Sequence, residues 1–186
     1  MNNTLIFLRH AKTKIDKSIP ISDWILTKEG MKEAKNIANI SEFQDIDVII
    51  SSGEKKAYDT IKHLAKKLNK KIIQINELNE LKRLNGETLS SEEYEKMKVK
   101  IFEDLAYTDH GWETSKHALN RFKKAVEKID EKYKNKKILI VAHGTVMTLY
   151  FASLQNKLDE LMERWKKLDT CDWGIVKNNK VIKEIV

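Results

Sequence analysis

Two short apolar runs each stop at a histidine. Leu5 to Leu8 leads into Arg9-His10, and Ile138 to Ala142 leads into His143-Gly144. Runs of four or five residues rich in Ile, Leu and Val read as strands buried on both faces of a parallel sheet. Open α/β sheets bind ligands at the carboxyl ends of their strands. Both imidazoles are therefore expected to face one crevice.

Bulk properties narrow the remaining choices. A chain of 186 residues fits one α/β domain, large enough to bury roughly 70% of the surface its unfolded chain exposes. The single cysteine, Cys171, allows neither an internal disulfide framework nor a multi-cysteine zinc site, which suits a reducing compartment. No stretch approaches the roughly 20 apolar residues of a membrane span, and no basic segment followed by a long apolar one opens the chain. The expectation is a soluble, cytoplasmic protein without a membrane partner. The net charge of +7 comes from 35 Lys and Arg against 28 Asp and Glu. Its lysines are scattered and no reader motif accompanies them, so nucleic acid is not an expected partner, whereas small anions would be attracted.

Alternation and turn signals place the other elements. Thr27 caps a helix running to about Ala38, with Glu29 in its first turn. Asp47 to Ile50 supplies a second strand, and Ser51-Ser52-Gly53 opens a helix from about Glu54 to Leu68. Lys71 to Ile75 is a third strand. A charged loop from Asn76 to Ser90 follows, the kind of segment above a sheet where function concentrates. Helices over about Ser91 to Leu105 and Thr114 to Lys134 precede the strand Lys137 to Ala142. A further helix lies near Val146 to Ser153. Trp173 to Lys177 and Val181 to Ile185 flank Asn178-Asn179, a two-residue hairpin turn.

Arg9-His10 at a strand end suits a phosphoryl group. A neutral imidazole attacks phosphorus without further activation, a guanidinium forks two phosphate oxygens, and amides at a helix start add donors. His143-Gly144 offers a second imidazole, and Gly144 lets the chain turn sharply into a helix whose amides are exposed. His63 and His117 read as helix-surface residues, and His110 lies in a polar stretch. Trp24, Trp112, Trp165 and Trp173 read as packing residues, with Trp112 placed to wall a pocket.

These motifs resemble the histidine phosphatase superfamily, of phosphoglycerate-mutase-like fold, over almost the whole chain. Leu8-Arg-His-Ala-Lys-Thr13 is similar to the nucleophile motif, with Ala11 where glycine is usual. Leu26-Thr-Lys-Glu-Gly30, Val48-Ile-Ile-Ser-Ser52, Val141-Ala-His-Gly144 and Glu113-Thr114 with Arg121 match further segments. The resemblance implies a three-layer α/β/α sandwich with a mostly parallel central sheet, a single histidine phosphatase domain over residues 1–186. It implies a phosphatase that needs no metal or other cofactor and acts on a phosphorylated small molecule. In that scheme His10 becomes phosphorylated, while Arg9 and His143 hold the phosphoryl oxygens.

The second arginine of the family falls at Lys56, which keeps the charge but loses the fork. Either Lys56 contacts phosphate as a point charge, or Arg83 or Arg121 reaches in, or phosphate is bound more weakly here. The general acid is expected in the loop after the third strand, best at Glu80, with Glu77 and Glu87 as alternatives. A slightly raised proton affinity should mark the right carboxyl. Thr13 and Thr114 either donate to phosphate or cap local structure, and Gly144 completes the expected phosphate-binding set. A phosphoglycerate-type mutase and a non-catalytic phospho-ligand module are the competing readings. Substrate identity and oligomeric state are not legible.

Overall fold

The structure, a computed structural model, describes residues 2–16, 18–83 and 89–186. Six strands form one sheet: β1 Thr4–Arg9, β2 Val48–Ser52, β3 Ile72–Ile75, β4 Lys137–Ala142, β5 Trp173–Lys177 and β6 Lys180–Lys183. Their spatial order is β3-β2-β4-β1-β5-β6. The first four are mutually parallel, β5 runs antiparallel to β1, and β6 antiparallel to β5. Six helices cover the sheet: α1 Lys28–Ile37, α2 Lys55–Lys67, α3 Ser91–Glu103, α4 Ser115–Lys132, α5 Gly144–Leu154 and α6 Leu161–Lys167.

The apolar runs are continuous because each central strand feeds two cores. Side chains alternate across a strand. Leu5 and Phe7 of β1, with Ile138 and Ile140 of β4, pack with Phe122, Met147 and Phe151 from α4 and α5. Ile6, Leu8, Leu139 and Val141 instead join Ile37, Ile61 and Leu64 from α1 and α2. The sandwich expected from the sequence is therefore present. Phe7 is fully buried against Tyr150 and Phe151, at ring-centroid distances of 5.2 and 5.4 Å. Truncating it to alanine would cost about 3–5 kcal/mol.

Element boundaries agree with the sequence reading to within a few residues. Thr27 caps α1 by accepting from the Gly30 amide. The hairpin turn is confirmed by φ values of 50° and 58° at Asn178 and Asn179, the left-handed pair of a type I′ turn. α6 was not anticipated: it spans seven residues, and its N-cap Glu160 makes no side-chain capping bond. Among the described residues no helix is long and apolar enough to cross a membrane.

Candidate active site

The chain leaves β1 and β4, which are neighbours, toward opposite faces of the sheet. α1 packs in one core and α5 in the other, so the strand ends between them open into a crevice. Arg9 pairs with Ala142 in register, and the His10 amide donates to the Ala142 carbonyl at 3.1 Å. Strand register alone thus brings the two imidazoles together, with ring centroids 5.1 Å apart. His10 Nδ1 lies 2.9 Å from the Ala11 carbonyl oxygen. A carbonyl only accepts, so Nδ1 carries the proton and Nε2 keeps its lone pair. The Thr13 hydroxyl donates to the same carbonyl at 3.1 Å and lies 3.2 Å from Nδ1. Thr13 therefore steadies the His10 ring as well as lining the cleft.

His143 is fully buried, with Nε2 2.7 Å from Ser52 Oγ and 3.5 Å from Glu54 Oε1. Its Nδ1 is buried and has no hydrogen-bond partner among the described residues, and the same holds for Arg9 Nε. Arg9 donates through Nη1 to the Leu168 carbonyl at 2.6 Å, which fixes its guanidinium beside the start of α5. A Cβ at Gly144 would stand 3.4 Å from Arg9 Nε. That is ordinary van der Waals contact, and the chain does turn sharply from β4 into α5 here, without a left-handed φ at Gly144.

Lys56 reaches the cleft from the first turn of α2. It is buried, donates to the Ile21 carbonyl at 3.0 Å, and pairs with the Glu54 carboxylate. Glu54, which sequence reasoning missed, is a hub: its Oε1 also accepts from the Glu80 amide at 2.7 Å. Its only sequence signal is its place as the residue before α2.

Glu80 enters the cleft beside Gly144. Its carboxylate accepts from the amides of Thr145 at 3.0 Å and Val146 at 3.2 Å. The α5 amides expected to face phosphate are thus held by Glu80. Burial works to raise the Glu80 carboxyl, but Lys98, Arg83 and the Thr145 amide outweigh it and hold the group well below the usual carboxylate range. The raised proton affinity expected from the sequence is corrected in sign: a residue encircled by cations and helix amides keeps its charge. Lys98 is itself buried, donates to Thr145 Oγ1, and lies 5.4 Å from the ring centroids of both Tyr94 and Trp165.

Other candidates fall elsewhere. Thr114 accepts from the His117 amide as the N-cap of α4 and does not line the cleft. Arg121 does not line the cleft. It donates to both Glu113 oxygens and to the carbonyls of Glu77, Asn79 and Glu80, clamping the loop that carries Glu80. Glu77 is exposed and lines a separate pocket beside α4, while Glu87 lies outside the described residues. Arg83 lines the cleft, its guanidinium 5.2 and 5.3 Å from the rings of Tyr94 and Trp112. His117 is an exposed partner of Glu113 at 2.6 Å, as a helix-surface reading requires. Trp112 walls the cleft as expected; Trp24 and Trp165 depart from expectation by lining it too, while Trp173 packs away from it, against Phe43.

Both site histidines are held well below the ordinary histidine range. Burial is the main cause for each, reinforced at His10 by His143, Lys56 and Arg9, and at His143 by Lys56. Both rings are neutral near pH 7. Burial and Glu33 push the Cys171 thiol up to about 12, so it is no nucleophile. Among the described residues no cluster of His, Cys, Asp and Glu is arranged to hold a metal ion.

Known proteins are similar to this chain in sequence and fold. Phosphoserine phosphatase 1 of Hydrogenobacter thermophilus is 25% identical over 158 residues, covering 81% of this chain and 75% of the relative. Among solved structures, Bacillus stearothermophilus YhfR superposes with a TM-score of 0.79 at 22% identity, covering 97% of this chain and 95% of that one. Mycobacterial glucosyl-3-phosphoglycerate phosphatase does so with a TM-score of 0.77 at 18% identity, covering 94% and 90%. The family match and the phosphatase relatives define this chain as a phosphatase, a hydrolase. The chain belongs to the histidine phosphatase superfamily, branch 1, whose profile matches residues 5–182.

Proposed function

We propose that this chain hydrolyses the phosphate monoester of a small phosphorylated metabolite through a phosphohistidine on His10, without a metal. The observation that carries the reading is the His10 tautomer: its Nδ1 is committed to the Ala11 carbonyl. This leaves Nε2 as the nucleophile in a cleft shared with Arg9, Lys56, Glu80 and Gly144. The phosphatase names of its relatives support a phosphorylated metabolite as the substrate.

In the first step His10 Nε2 forms a bond to phosphorus as the bond to the ester oxygen breaks. Charge stays on the equatorial oxygens, so fixed donors do most of the stabilising. Arg9, the Lys56 ammonium and His143 Nδ1–H supply them. Ser52 Oγ–H donates to His143 Nε2 in this arrangement, which places the ring proton on Nδ1. A phosphate dianion arriving beside Glu80 adds a like charge and draws a proton onto that carboxyl. Glu80 then passes the proton to the leaving alkoxide. In the second step Glu80 takes a proton from water as the water oxygen bonds to phosphorus and the Nε2–P bond breaks, releasing inorganic phosphate.

The test is turnover of p-nitrophenyl phosphate together with recovery of acid-labile, alkali-stable phosphate on the protein. Both are expected from the wild type. Both should vanish in His10→Ala, with activity down about 10⁴-fold or more, since loss of a nucleophile removes the covalent route. Equal turnover by His10→Ala refutes the assignment.

A further inference from the structure

We propose that the substrate's leaving group is bulky, uncharged and apolar, an aromatic or long aliphatic alcohol rather than a three-carbon acid. The inference rests on the phosphatase reading above and extends it to the part of the cleft that the phosphate leaves unfilled.

The cleft has a volume of about 770 Å³. Spaces of about 300–1,000 Å³ enclose drug-sized ligands, whereas a phosphoryl group with a three-carbon tail fills a small part of one. The phosphate end is fixed on the floor by His10, Arg9 and Lys56, so the leaving group has to project toward the walls. Those walls are largely apolar. Ile15, Ile19 and Trp24 come from the segment between β1 and α1, and Tyr94, Trp112 and Trp165 from α3, the segment before α4, and α6.

Two details separate this wall from ordinary surface. First, the three rings form one fixed cluster, with Tyr94 5.7 Å from Trp112 and 6.2 Å from Trp165 by ring centroids. The buried Lys98 ammonium lies within 5.9 Å of all three, so cation–π attraction adds to their packing. Second, Ile15 and Ile19 are 69% and 39% exposed. A lone exposed aliphatic residue is unremarkable, but these two border the same cleft as the nucleophile.

Most cations near the cleft already have partners. Arg121 is bound to Glu113 and three carbonyls, Lys98 to Thr145, and Lys12 to Glu29. Arg83 is the remaining cation of the cleft among the described residues outside the phosphate floor, and it lies over Tyr94 and Trp112. Asp16 and Glu95 border the same cleft and repel a carboxylate.

A series of primary alkyl phosphates tests this, because ethyl, butyl, hexyl and 2-phenylethyl alkoxides leave with similar ease and differ in apolar area. The expected kcat/KM rises about fourfold per buried methylene, and 2-phenylethyl phosphate exceeds phosphoserine by at least tenfold. The double variant Ile15→Ser/Ile19→Ser, altered only at exposed positions, flattens the slope. A flat wild-type series, or phosphoserine as the better substrate, overturns the proposal. Failure to release phosphate from any ester, p-nitrophenyl phosphate included, would instead overturn the phosphatase reading. Calorimetry with hexylphosphonate against methylphosphonate then decides the wall by itself: tighter binding of the hexyl compound supports it, and equal binding overturns it.

Discussion

His10 and His143 hang from two adjacent parallel strands, whereas Glu80 sits on a turn whose nearest strand, β3, is the sheet edge. The histidines are placed by backbone register and need no side chain to bring them within 5.1 Å of each other. Glu80 is placed by side chains from far along the chain: Arg121 clamps its loop, Glu54 takes its amide, and α5 amides take its carboxylate. The nucleophile side is built like a frame and the acid side like a suspension. Damage should therefore spread differently in the two.

The largest separation is expected from Glu80→Gln. Phosphorylation of His10 by alkyl phosphates should fall about 10²- to 10⁴-fold, the worth of general acid catalysis, while the phosphohistidine burst from p-nitrophenyl phosphate, whose leaving group needs no proton, loses little. Equal losses on both substrates would place Glu80 on the frame side. Arg121→Met should cost about 3 kcal/mol of stability by leaving Glu113 without its buried partner, seen as a lower urea midpoint. Alkyl phosphate turnover falls with it, and the phosphohistidine burst with p-nitrophenyl phosphate survives.

Acid tests the frame. The unfolded chain protonates its histidines near pH 6.5, while burial keeps His10 and His143 neutral in the fold to well below that. Stability is thus fully present above about pH 6.5 and declines on acidification, by up to about 1.4 kcal/mol per pH unit for each imidazole. Urea midpoints at pH 7.5 and 5.5 should show this, and His143→Asn should reduce the slope. The smallest effect is expected from Lys98→Met. Removing the leading charge that keeps Glu80 ionised lets that carboxyl hold its proton to higher pH. The alkaline limb of the alkyl phosphate profile should move upward, with the pH profile of the p-nitrophenyl phosphate burst unmoved.

The same division explains what was legible in the residues. Strands, capped helices, the Asn178-Asn179 turn and the facing histidines follow from local pattern, since register carries local order directly into space. Glu80 could be picked out as a candidate, but not its charge, which depends on Lys98 and on amides 65 and 66 positions away. Arg121 has the composition of a phosphate ligand and serves instead as a clamp. Nothing in the spacing of Trp24, Trp112 and Trp165 reveals that three distant segments bring them to one cleft.

The position of β1 has a consequence for how the molecule comes into being. This strand emerges first during synthesis, yet its two sheet partners begin at Lys137 and Trp173. Its stub at Asn3 is tied by side-chain hydrogen bonds to Asp130 and Tyr133, and Arg9 waits for the Leu168 carbonyl. Pairings this distant are slow to form and leave strand edges open meanwhile. The nucleophile's motif is thus made before the strands that hold it and acquires its geometry only after them, so a growing chain gains a working centre no earlier than the synthesis of β5.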